Sequence, residues 1–235
     1  MIRELLVALS VAFSSAQRDA AQPEAAQPEA AQPEAAQGDA ALTQIQKMVA
    51  RPPVMCGTFD QQKTLVGLKK PVRSTGRFCA VADKGVLWNT RTPFASTLRL
   101  SREEIVQSLG DRVTSRLSSR QEPTVGVISD LLFSVLAGDF ARLKSGFKID
   151  ATTQAQSWSA KLVPKESGLR RVISAIELSG AEYVQKITMI VASGDRTVIT
   201  FANMATGTSA LQPDEAKAFG APADRGAAGR GGLER

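Results

Sequence analysis

Residues 54–82 read VMCGTFDQQKTLVGLKKPVRSTGRFCAVA. Two stretches of β-type sequence, 54–66 and 71–82, flank a turn centred between Gly67 and Leu68. A symmetric hairpin register sets Cys56 opposite Cys79, Phe59 opposite Gly76, and Gly57 opposite Phe78. It also sets Thr58 against Arg77 and Gln62 against Arg73. Side chains alternate along a strand, so both cysteines fall on the more polar face and both phenylalanines on the other. Directly opposed Cβ atoms lie close enough to bridge, so this register predicts a Cys56–Cys79 disulfide. Two free thiols are the alternative. A catalytic pair is a poor reading, because Cys-x-x-Cys spacing and a histidine partner are both missing.

The pattern extends on either side of this hairpin. Strands are predicted at 85–91 and 95–100, then at 147–154, 157–164, 169–179, 183–193 and 196–204, with Ser193-Gly194-Asp195 as a tight turn before the last. Before the hairpin, Leu42, Ile45, Met48 and Val49 recur at helical spacing over 40–50, with Asp39 as candidate N-cap. Between the two strand groups, Pro123 suits a first helical turn. Ile128, Leu131, Leu132, Val135 and Leu136 follow as an apolar stripe, and Phe140 and Leu143 continue it to Gly146.

The ends read differently. Residues 1–16 carry the features of a secretory signal: Arg3, an apolar run from Leu5 to Phe13, and the small residues Ser14-Ser15-Ala16. Residues 17–39 read as a linker, in which Ala-Ala-Gln-Pro-Glu repeats with Pro23, Pro28 and Pro33 and nothing apolar exceeds alanine. The folded domain is expected over 40–210, and 211–235, rich in Ala, Gly and charge, is expected to be disordered. Export would put the chain in an oxidising compartment, the periplasm, where a disulfide persists.

Composition narrows the chemistry. The chain has no histidine, so the commonest general base and metal ligand are missing. Two cysteines alone are too few for a zinc site. The net charge of +6 favours anionic membrane surfaces or acidic partners, yet no basic run carries interleaved aromatics, so nucleic-acid binding is not expected. No G-x-S-x-G or phosphate loop is present. The reading is a non-enzymatic protein without cofactors.

An ordered set of short motifs then carries a resemblance. Cys56-Gly57-Thr58-Phe59-Asp60-Gln61-Gln62-Lys63 leads into Ser74-Thr75-Gly76-Arg77-Phe78, then Lys84-Gly85-Val86-Leu87-Trp88 and Pro93. Gly138-Asp139, Trp158 before Leu162-Val163-Pro164, and Gly194-Asp195-Arg196-Thr197 follow. Over about 42–204 the chain resembles the LolA-like outer-membrane lipoprotein carriers, most closely a divergent branch with a cysteine in each of the first two strands. The resemblance implies a mainly β fold with some α: an incomplete, strongly curved antiparallel half-barrel plugged by helices. It implies a monomeric carrier that takes lipid, lipoprotein or other acyl-chain cargo from an inner-membrane exporter to an outer-membrane acceptor. A sensor of envelope lipids and an assembly factor are alternatives on the same fold. One departure stands out. The arginine that lipoprotein carriers hold six positions after the second-strand glycine is Ala82 here, and Arg73 and Arg77 alternate to the opposite face.

The apolar side chains expected around a ligand cavity are Phe59, Phe78, Leu87, Trp88, Phe94 and Leu98 from the early strands. The helical stripe adds Ile128, Leu131, Leu132 and Val135, and the late strands add Ile187, Met189, Ile199 and Phe201. Taken singly, each reads better as part of an ordinary filled core, and only the resemblance implies a cavity.

Overall fold

The computed structural model describes residues 32–121, 129, 131, 133–135 and 139–220. Their strands form one antiparallel sheet of eleven, which does not close. β1 (Val54–Thr64), β2 (Val72–Val81), β3 (Gly85–Thr92), β4 (Ser96–Leu100), β5 (Glu104–Leu109) and β6 (Arg112–Ser118) run as a meander to one edge. β7 (Phe147–Gln154), β8 (Ser157–Pro164), β9 (Ile173–Gly180), β10 (Val184–Val191) and β11 (Arg196–Thr206) meander from the other edge. The halves join where β11 pairs with β1, so the last strand zips onto the first. A twisted sheet of this width curls, and its concave face collects the apolar residues.

The opening hairpin has the predicted register throughout: Cys56 faces Cys79, Phe59 faces Gly76 and Gln62 faces Arg73. The Cys56–Cys79 disulfide is formed, with the two Cα atoms 4.0 Å apart. Gly76 is required by packing. A Cβ there would sit 2.0 Å from the Asn89 carbonyl oxygen and 2.7 Å from the Phe59 ring. Gly76→Ala is therefore expected to cost about 3 kcal/mol of stability, an overpacking penalty against backbone that cannot move alone. Urea unfolding of the variant measures it, and an unchanged midpoint would contradict the packing.

Several sequence expectations are corrected here. The first helix, α1 (Gln32–Met48), starts well before residue 40. Pro33 is tolerated because the first turn needs no intrahelical donor from it. Asp39 is thus inside the helix rather than its N-cap, and its carboxylate accepts a hydrogen bond from Lys144 Nζ at 2.7 Å. The predicted apolar face holds: Leu42, Ile45 and Val49 are buried, with α1 packed along β7. β5 and β6 were not anticipated. Asp139 caps the start of α2 (Phe140–Gly146), its side chain accepting from the Arg142 N–H. A single-turn helix, α3 (Ser167–Arg170), stands where the strand expected over 169–179 was to begin.

The tail beyond residue 211 is ordered for a further turn and a half. α4 (Pro213–Ala218) begins with a capping box between Gln212 and Glu215 and lies on the convex face. Phe219 then packs against Cys56, Cys79 and Leu87. Below it, Glu215 is buried and ion-paired with Arg77 at 2.8 Å, and Arg77 also donates to the Ala210 carbonyl. The face that looked polar in sequence is therefore a second small core. Residues 1–31 and 221–235, which include the signal segment and most of the repeat, lie outside the described residues.

Candidate ligand cavity

Period-2 alternation decides what the concave face presents. From β1 it takes Phe59, Gln61 and Lys63; from β2, Val72, Ser74 and Phe78; from β3, Val86, Trp88 and Thr90. From β10 and β11 come Ile187, Met189, Ile199 and Phe201. Between these strands and the helical residues Leu131 and Val135 lies a cavity of about 390 Å³. That volume is within the range of small-molecule pockets.

Nine of the fourteen side chains named from sequence line it: Trp88, Phe94, Leu98, Leu131, Val135, Ile187, Met189, Ile199 and Phe201. Phe59 and Phe78 share that face but do not reach the wall. They form its floor, with Phe59 stacked on Trp88 at a ring separation of 4.0 Å and Phe78 edge-on to Phe201 at 4.9 Å. Leu87 is on the wrong face. It neighbours Trp88 in one strand, so the two must point oppositely, and Leu87 packs beside the disulfide. Ile128 and Leu132 lie outside the described residues. Trp88 is a wall residue, and an indole-to-backbone hydrogen bond is made by Trp158, which donates to the Ala181 carbonyl at 2.7 Å. Ala82 lies in the exposed turn between β2 and β3, and Arg77 and Arg73 bond Glu215 and Asp60 instead.

Two features of the cavity were not read from sequence. The first is its mouth. The turns β1–β2, β3–β4 and β5–β6 share one end of the sheet. All six large exposed hydrophobics among the described residues are there: Val66, Leu68, Val72, Phe94, Leu109 and Val113. Phe94 is 79% exposed yet lines the cavity, so it marks the opening. The second is polarity within. Gln61, Lys63, Ser74, Thr90 and Ser96 line the half nearer this end beside the apolar Val72, Phe94 and Leu109, while Val86, Trp88, Leu98 and Leu100 line the far half with Gln107. Burial pushes the Lys63 ammonium below the ordinary lysine range, and the Asp195 carboxylate offsets this only in part. Asp195 is itself buried and accepts a hydrogen bond from the Val66 N–H at 2.8 Å.

The described strands thus form an open, curved antiparallel sheet with an apolar cavity on its concave face. The chain belongs to the family of outer membrane lipoprotein carrier protein LolA-like sequences, which it matches over residues 30–220. Comparison with curated protein sequences gave no match. Among solved structures, a LolA superfamily protein of Nitrosomonas europaea is similar at 10% identity and a TM-score of 0.42, over 76% of this chain and 96% of that one. A DUF1329 family protein of Desulfovibrio piger is similar at 11% identity and a TM-score of 0.41, over 76% and 99%. MucB in the Pseudomonas aeruginosa MucA/MucB complex is similar at 15% identity and a TM-score of 0.33, over 77% and 62%.

Proposed function

We infer that this protein is a non-enzymatic periplasmic carrier that holds the acyl chain of a lipid or lipid-modified cargo between inner and outer membrane. The observation that carries the reading is the apolar cavity of about 390 Å³ under the helical lid, open at a rim of exposed hydrophobics. Acyl burial supplies the driving force, about 0.8 kcal/mol for each methylene removed from water. Membership of the LolA-like carrier family supports a transport role, and the signal-like segment at 1–16 fits export. No helix among the described residues is long and apolar enough to cross a membrane. Donor and acceptor would meet the cavity at its mouth, where Val66, Leu68 and Phe94 stand out from the sheet.

Titration with a fluorescent fatty acid tests this. The expected result is saturable, one-to-one binding at micromolar concentration or tighter, with a blue-shifted emission and displacement by unlabelled palmitate. Failure of every acyl probe to bind would remove the carrier reading.

A further inference from the structure

We propose that the mouth end of the sheet is a docking surface for an anionic phospholipid leaflet. The inference goes beyond the carrier reading, because it concerns where the open cavity is set down and not what fills it. All six large exposed hydrophobics among the described residues stand at this end, in and beside three separate turns. The same end carries exposed cations. They are Lys69 and Lys70 in the β1–β2 turn, Arg91 near the end of β3, Arg112 at the start of β6, and Arg170 and Arg171 where α3 closes. None of these cations is in an ion pair among the described residues.

Topology brings them together. β1, β3 and β5 run towards this end, and β2, β4 and β6 run away from it. Thr64 pairs with Arg196 and Val191 with Ile173, so the β10–β11 turn and the α3 connection belong to the same end. The Val66 N–H donates to the Asp195 carboxylate at 2.8 Å, which fastens the β1–β2 turn to the β10–β11 turn. The carboxylates here are Asp111, Glu166 and Asp195, and the last is buried. The turns at the opposite end carry Lys84 and Arg102 against Asp83, Glu103 and Glu182, and Arg102 is paired with Asp83. Positive charge and exposed hydrocarbon therefore point the same way as the mouth.

A leaflet suits this surface better than a protein does. Apolar and cationic side chains are interleaved at the tips: Leu68 precedes Lys69 and Lys70, and Val72 follows them. A leaflet offers phosphates at the headgroup level and hydrocarbon just beneath, so both kinds of side chain are satisfied at once. Each lysine or arginine held near an anionic surface strengthens binding roughly fivefold. Protein interfaces, in contrast, are depleted in lysine and gather their apolar groups into one buried core. Docking also removes an obstacle to transfer. Phe94 is exposed yet lines the cavity, so with the rim on the leaflet an acyl chain passes between bilayer and cavity without crossing water.

Flotation of the full chain with vesicles tests this, using phosphatidylcholine alone and phosphatidylcholine containing about one-third phosphatidylglycerol. Binding to the anionic vesicles is expected to be roughly tenfold or more tighter, and to be lost in about 0.5 M NaCl. K69Q/K70Q should weaken it roughly tenfold or more, whereas K84E, which lowers the net charge equally at the opposite end, should leave it within about twofold. L68W should gain a blue-shifted emission on anionic vesicles. All these positions are in exposed turns, where substitutions leave the fold standing. Equal binding to both vesicles, or binding to neither, overturns the proposal, and the second result leaves the rim to a protein partner. A loss in K84E as large as in K69Q/K70Q overturns it too, because net charge alone would then drive the attraction, as does an unshifted L68W emission. The carrier reading is judged separately, by acyl-probe titration without vesicles. Protein that binds the probe and no vesicle refutes docking alone, and protein that floats with anionic vesicles but binds no probe refutes the carrier reading alone.

Discussion

Filling the cavity with two indoles, by Ile187→Trp together with Ile199→Trp, is expected to weaken acyl binding at least 100-fold while the sheet stays folded. Ile187 and Ile199 are cross-strand partners on β10 and β11, and both line the cavity. Because they face open space, larger side chains there do not force the strand-against-strand clash that an added Cβ at Gly76 meets. The cost to the ligand is arithmetic. Excluding three or four methylenes removes about 3 kcal/mol, which is roughly a hundredfold in affinity. Every acyl ligand should lose it equally, since the change is steric. A variant that is folded by circular dichroism and still binds acyl probes as the native protein does would show that this cavity is not the site.

Loss of the disulfide should have a large effect on stability. Cys56 and Cys79 are 23 residues apart, and opening a loop of that size costs about 3 kcal/mol in the chain-entropy account. For a domain of this size that is a fall in Tm of about 6–12 °C. Alanine is the better replacement, because both sulfurs are buried beneath Phe219 and a serine hydroxyl there would need a partner. The same double variant should bind acyl probes normally, since the disulfide lies on the convex face and the cavity on the concave one. Thermal unfolding followed by calorimetry measures the first effect. A Tm within a degree of native would mean that the crosslink constrains nothing that the sheet does not already fix.

What could be read from sequence depended on local signals. The β1–β2 hairpin was legible to the residue because its alternation is strict, so one register satisfies both faces. β5 and β6 were missed although Gly110, at a φ of +56°, marks their turn in Leu-Gly-Asp. Their burial is uneven and their outer residues are Arg, Thr and Ser, so the apolar alternation is faint. The docked C-terminal helix was hidden by a composition of Ala, Gly and charge. Its signal was the capping pair, Gln212 with Glu215, and Pro213 between them. Leu87 was misplaced by hydrophobicity alone, although parity with Trp88 rules it out of the cavity. Lys63 shows the opposite case. It stands four residues after Phe59, hence on the same face, but only the assembled sheet brings that face under a lid and makes a surface lysine into a buried one.

The most direct test of the carrier account is native mass spectrometry, with lipid extraction, of the protein purified from the periplasm of cells that express it. The account predicts a population carrying one bound amphiphile, whose mass disappears in the Ile187→Trp/Ile199→Trp variant. Protein that is empty in every charge state, and remains so after incubation with acyl lipids, would contradict it.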